Sequence, residues 1–363
     1  MVIAQVISDL SIGGAERLFV NLCNALEADK VIVVLIGDTK TQPNLSDELR
    51  KDIEVHYLRV RQRSWLWDVW NLSRLFRDTG CDVVHTHMFW SNLYGSMAAR
   101  LAGVPVVVTA EHGRNEWKRK WHKWLEVNII SRYADTRLCV SQDILQRRRD
   151  ADGVPENLLK LVPNGTVVPT VVGHKRQMTV IGSVGRLVDA KDYPTLVKAI
   201  SVLARRGTDT RLEIVGEGRE RGEIEATIRR EGVDSHVTLV GSQTNVSDWL
   251  MRWGIFVSSS VREGQPVALL EAMAVGLPSV VTAVGGVPDT LADGVEGIVV
   301  PPENPEALAD GIQRLLDSAE LRSAYGRAAR ERVIREFSID SLASTCREIY
   351  ASAMQSIKQG AAG

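Results

Sequence analysis

Two carboxylates, Glu263 and Glu271, stand eight positions apart in the otherwise small and apolar run REGQPVALLEAMAVGLP, residues 262–278. An unpaired carboxylate out of water is costly enough to neutralise itself, so these two need partners. A carboxylate only accepts hydrogen bonds, and its natural neutral partner is a pair of adjacent hydroxyls, such as sugars and riboses carry. The same spacing also fits a helix-terminus charge at Glu263 and a paired structural acid at Glu271. Upstream, GSVGRLVDAKDYPTL places Arg186 and Lys191 between a strand and a helix opened by Pro194. Two cations there can clamp a diphosphate or sit as solvated surface charges. Near the start, SDLSIGGAERL sets Gly13 and Gly14 at a helix N-terminus whose N–H groups can receive an anion. A glycine turn at that point equally serves to reverse the chain. If Glu263 faces a sugar, Glu271 a ribose and the basic pair the diphosphate between them, the ligand is a nucleotide sugar.

His112 closes the run VVVTAEH, where a structural and a catalytic role fit a lone histidine equally. His85 and His87, two apart on one strand, share a face and could imitate half a metal site. No acid or cysteine stands at ligand spacing from them, so they read as lining or packed residues and not as a metal site. The triplet DAD at 150–152 has the letters of a metal-binding motif but follows RRR in polar sequence, where surface carboxylates are the simpler reading.

The elements that position these groups alternate. VIAQVIS, KVIVVLIG, DVVHTH, VPVVVTAEH and TRLCVS are short apolar runs separated by helix-period sequence, as strands of a parallel sheet covered on both faces must be. After LVPNG the pattern loses its period and then restarts with TVIGSVGRL, RLEIVGEG, HVTLVGS, GIFVSSS, PSVVT and EGIVV. The fold class is therefore α/β, with two doubly wound parallel-sheet domains, and ligands of such sheets bind beyond the carboxyl ends of the strands. Boundaries are expected at 1–168 for the first domain, 169–177 for a linker, 178–340 for the second domain and 341–363 for a C-terminal helix packing back on the first.

A chain of 363 residues exceeds one ordinary core, and its formal charge of −1 argues against a general nucleic-acid partner. The four cysteines lack metal or redox spacing and read as reduced thiols. MVIAQVISDL lacks a basic start and reaches Asp9 too early for a signal peptide, which points to a cytoplasmic protein, soluble or on the inner face of a membrane.

SSSVREGQPVALLEAMAVGLPSVVTAVGGVPD resembles the donor-binding signature of retaining glycosyltransferases of the GT-B fold, family four. GGAE, DVVHTH, EHG, CVS, PNG and GRL followed by Lys191 fall in the family's order, so the resemblance spans nearly the whole chain. It implies two Rossmann-like domains facing across a cleft, and a sugar moved with retention from a nucleoside-diphosphate donor. Uridine diphosphate is the usual nucleotide, and guanosine diphosphate occurs. By the same resemblance Gly14 stands beside the donor phosphate, and Arg186 and Lys191 neutralise the diphosphate in place of a metal. Glu263 binds the sugar with the backbone of Gly264, Gln265, Pro266 and Val267 beside it, and Glu271 binds the ribose. His112 lines the sugar pocket near the bond that breaks, and Gln243 aligns with the backbone that holds the base. Gln265 departs from the family's usual apolar residue, which leaves the donor sugar open.

The acceptor implied is a glycan or a lipid-linked hydroxyl. Seven of nine tryptophans lie between residues 65 and 124. RNEWKRKWHKWLEVNII puts Trp117, Trp121 and Trp124 on one helical face among Lys118, Arg119, Lys120 and Lys123, and residues 59–77 repeat the theme. Such a surface fits an anionic membrane, and the same pattern fits core tryptophans with a solvated basic rim. A nucleotide-sugar epimerase and a non-catalytic nucleotide-sugar-binding subunit share the expected cleft, whereas a dinucleotide oxidoreductase lacks its glycine fingerprint here.

Overall fold

The computed structural model describes residues 1–37, 44–60, 64–113, 119–170 and 176–360. The chain forms two compact units, Met1–Asn164 with Ile339–Gly363, and Gly165–Ser338. The division thus falls at Asn164/Gly165, ahead of the stretch read as a linker, of which residues 171–175 lie outside the described residues. Gln177, the last linker residue by sequence, already belongs to a strand.

In the first unit seven parallel strands run β1 Val2–Ile7, β2 Lys30–Leu35, β3 Glu54–Tyr57, β4 Val83–His87, β5 Val106–Glu111, β6 Thr136–Cys139 and β7 Leu159–Leu161. Their order is β3-β2-β1-β4-β5-β6-β7. In the second unit β8 Gln177–Val184, β9 Arg211–Val215, β10 Val237–Gly241, β11 Trp253–Ser258, β12 Ser279–Thr282 and β13 Gly297–Val300 lie in the order β10-β9-β8-β11-β12-β13. The interior strands are buried along their length, as Val83–His87 and Trp253–Ser258 show, because helices cover both faces of a parallel sheet.

β3 and β7 answer to no apolar run in the sequence. Both are short edge strands with partly exposed residues, so neither needs the continuous apolar character that marks the interior ones. The helix Ile339–Gly360 belongs to the first unit, where Tyr350 and Cys346 are fully buried and Arg347 Nε donates to Asp29 Oδ2 at 2.9 Å. All four cysteines are free and buried. Among the described residues no helix is long and apolar enough to cross a membrane.

Candidate functional site

In the second unit β8 ends at Val184, and Gly185 and Arg186 follow. Lys191 closes the 3-10 turn Asp189–Lys191. The next residue, Asp192, takes a left-handed conformation (φ 44°) and caps the helix Tyr193–Arg205 through its side chain, so the chain turns sharply just after the lysine. The turn is stitched to the loop after β11. Ser259 Oγ donates to the Lys191 carbonyl at 2.9 Å, and the Val261 N–H donates to the Ala190 carbonyl at 2.9 Å.

Those backbone ties bring together two residues that sequence spacing assigned to different parts of a ligand. Lys191 Nζ donates to Glu263 Oε1 at 2.6 Å, and Ser260 Oγ donates to the same oxygen at 2.7 Å. The pair is largely sheltered, with side-chain exposures of 22% and 10%. Both bonds fall on Oε1, so Oε2 accepts from no described group, and two of the three ammonium N–H groups are unspent. The lysine stem runs over Gly185, where an added β-carbon would come about 3.0 Å from Lys191 Cε. Arg186, next in the chain, is exposed and has no ion-pair partner among the described residues.

Glu263 is held from below. Gly285 (φ 53°) packs so closely that a side chain there would overlap the Glu263 carbonyl oxygen, and the Gly286 N–H donates to the Gly264 carbonyl at 2.8 Å. Pro266 caps the helix Val267–Ala274 from just outside it, and Glu271 lies half-buried within that helix. Gln265 is turned inward: it is 4% exposed and its Nε2 donates to Thr290 Oγ1 at 3.2 Å. The polar residue at this position therefore ties its loop to the short helix Val287–Thr290. Gln243 sits half-buried after the edge strand β10, away from this cluster in sheet order, though the carboxyl ends of β10, β9 and β8 meet through Gly241, Val215, Gly216 and Gly185. Sequence reading missed Ser260 and Gly285; the hydroxyl run at the end of the apolar β11 was the available signal.

In the first unit Gly13 precedes the helix Gly14–Ala25. The Glu16 carboxylate lies against Gly13, so this helix start already has an acid of its own beside it. His112 follows β5 at the same carboxyl edge of the sheet. Its Nε2 is 2.9 Å from His87 Nδ1, with the two rings nearly parallel. Burial depresses the pKa of His112, while the Glu111 carboxylate and the Asn164 side chain work against that. Burial also holds His85 down at about 3 and His87 well below the usual imidazole range, so both are neutral near pH 7. Asp150 and Asp152 do not converge. Asp150 is exposed on Arg149, while Asp152 is buried on Arg148 at 2.7 Å and Lys123 at 3.1 Å. Among the described residues no three His, Cys, Asp or Glu side chains are grouped to hold a metal ion.

Five of the tryptophans between residues 65 and 124 point outward, whereas Trp90 is partly buried and Trp253 of the second unit is core. Trp65, Trp67 and Trp70 on the helix Trp65–Asp78, and Trp121 and Trp124 on the helix Lys120–Leu125, are 44–60% exposed. Trp117 and Lys118 lie outside the described residues, as do residues 61–63.

Comparison with known proteins agrees with this layout. Residues 169–332 match the family described as glycosyl transferases group 1, and residues 12–168 match glycosyltransferase family 4. Alpha-D-kanosaminyltransferase of Streptomyces kanamyceticus is 28% identical over 317 residues, 79% of this chain and 82% of its own. The UDP-Gal:alpha-D-GlcNAc-diphosphoundecaprenol alpha-1,3-galactosyltransferase of Escherichia coli is 25% identical over 301 residues, 77% and 78% of the two chains. In fold, the chain superposes on Anabaena HepE, solved with UDP and glucose, at a TM-score of 0.85, covering 97% of this chain and all of that one at 19% identity. With two parallel-sheet α/β units, a family match across residues 12–332 and relatives of this kind, the chain belongs to the family-four, group 1 glycosyltransferases of the GT-B fold.

Proposed function

We propose that this glycosyltransferase moves a hexose-type sugar, with retention at the anomeric carbon, from a UDP-sugar to a hydroxyl of a glycan or lipid-linked acceptor. The observation that carries the reading is the sheltered Lys191–Glu263 pair, with unspent donors on one side and an unspent oxygen on the other, next to the unpaired Arg186. Cations fixed at a strand end stabilise a leaving diphosphate most when its charge is developing, and so take the place of a metal. Glu263 Oε2 remains to accept from a sugar hydroxyl and to offset positive charge at the anomeric carbon. The reading gives Glu271 the ribose, Gln243 the base, Gly13 and Gly14 the phosphate side, and His112 the sugar. The leaving phosphate oxygen accepts the proton of the incoming hydroxyl on the same face. The relatives named for UDP-galactose and solved with UDP support the choice of nucleotide.

Calorimetric titration tests it. Glu271→Ala is expected to weaken UDP and UDP-glucose alike by about ten- to a hundredfold, the worth of one or two hydrogen bonds to a charged group. Affinities unchanged for both ligands would remove Glu271 from the site and the nucleotide sugar with it.

For the acceptor side, the exposed Trp65, Trp67, Trp70, Trp121 and Trp124, with exposed Arg119 and Lys120, support an anionic membrane surface on the cytoplasmic side and hence a lipid-linked acceptor. Flotation with anionic vesicles is expected to recover the protein at low salt and to lose it toward about 1 M salt, where the screening length falls to about 3 Å. Absence of binding at low salt would sink this part of the reading.

A further inference from the structure

His112 stands at one end of a buried polar chain that the donor chemistry does not account for. His87 Nε2 lies 2.8 Å from Gln5 Oε1, Gln5 Nε2 lies 3.5 Å from the Tyr350 hydroxyl, and that hydroxyl lies 2.7 Å from His85 Nδ1. Gln5, His85, His87 and Tyr350 are each at most 2% exposed. Gln5 faces His85 in the β1–β4 register, and Tyr350 comes from the helix Ile339–Gly360.

An amide oxygen only accepts and an amide nitrogen only donates, so Gln5 gives the chain a direction. Its oxygen requires a proton on His87 Nε2. A neutral imidazole carries one N–H, which leaves His87 Nδ1 as a lone pair, and His112 must supply the proton to it from Nε2. On the other side the amide nitrogen donates to the Tyr350 hydroxyl, which in turn bonds His85 Nδ1. At the near end this leaves His112 Nδ1 as an acceptor. That atom is buried and meets no group in hydrogen-bond geometry, though Asn164 and Glu111 stand close enough to favour the protonated ring. Cys346, one helical turn before Tyr350, also acts on the phenol.

We infer that Gln5 and Tyr350 are positioning residues for His112: through His87 they keep its proton on Nε2, so that Nδ1 accepts from a hydroxyl of the donor sugar. The inference rests on the proposed place of His112 at the sugar. Without the wire the ring can carry the proton on Nδ1, toward Asn164, and a sugar hydroxyl oriented to donate to that nitrogen must then turn to accept from it.

The test uses the full chain labelled with 15N-histidine, with His112 assigned from its loss in His112→Ala. Long-range nitrogen–proton spectra at pH 7.5 are expected to show His112 as the Nε2–H form. Gln5→Met, close in length but without the amide, is expected to bring in the Nδ1–H form. The same variant should bind UDP-glucose about tenfold more weakly and UDP as before, a split that a merely structural defect would not give. Tyr350→Phe, which removes one oxygen, should move both readouts the same way and serves if Gln5→Met fails to fold. A wild-type His112 protonated on Nδ1, or an Nε2–H form that persists in both variants, overturns the wire. A tautomer that moves with no change in UDP-glucose affinity overturns the positioning role. Wild-type protein that binds neither UDP nor UDP-glucose would instead count against the proposed function, and the spectra would still decide the wire.

Discussion

Lys191→Ala is expected to lower kcat by about 10²- to 10³-fold, and kcat/KM by the same factor, in an assay of UDP release. Removing one preorganised donor from a site where charge develops typically costs about 2.7–4 kcal/mol of transition-state stabilisation. The structure adds a second reason for a large effect. Glu263 is nearly buried and takes its charged hydrogen bond from this ammonium, so alanine leaves the carboxylate with Ser260 alone. A buried carboxylate that loses its cation either moves or takes up a proton, and both remove it from the sugar. The Lys191 and Glu263 variants should therefore be strongly non-additive: the double variant is expected to be little worse than Lys191→Ala alone. Independent, additive losses would show that the pair does not act as a unit, and unchanged turnover in Lys191→Ala would remove the diphosphate clamp.

The second large effect is on stability and follows from pH. His85 and His87 are held neutral in the fold by burial, His85 down at about 3. In the unfolded chain both take up protons near pH 6.5. Each folded pKa lies below its unfolded one, so the unfolded state binds more protons and stability falls as the medium is acidified below about 6.5. The slope is about 1.4 kcal/mol per pH unit for each ring until its folded pKa is reached. Between pH 6.5 and 5 His85 alone is expected to remove about 2 kcal/mol of the usual 5–15 kcal/mol, and His87 adds to the loss in the same direction. Hydrogen exchange at β4 amides, followed from pH 7.5 to 5, reads this in the unit concerned. His85→Gln should reduce the slope by about one proton. A pH-independent opening free energy would contradict neutral burial of the two rings.

How much of this was legible in the sequence depended on distance along the chain. Interior strands announce themselves because helices on both faces require continuous apolar runs, so VVHTH and WGIFVS were readable. The edge strands Glu54–Tyr57 and Leu159–Leu161 were not, since nothing obliges them to be apolar. Lys191 and Glu263 could each be placed at a strand end, but their bond spans 72 positions and no local pattern encodes it. The tie between Gln5 and Tyr350 spans 345 and was invisible for the same reason. The tryptophans illustrate a different limit. Amphipathic spacing is the same for a helix that buries its aromatic face in the protein and one that shows it outward, and only the fold separates the two.

The return of Ile339–Gly360 to the first unit bears on synthesis. Gly165–Ser338 is one unbroken segment and can condense as it leaves the ribosome, whereas the earlier half must wait with His85 and Gln5 lacking Tyr350 until the final helix is made. Nascent chains of this protein are thus expected to mature back to front, the portion translated first being the last to acquire its complete native interior.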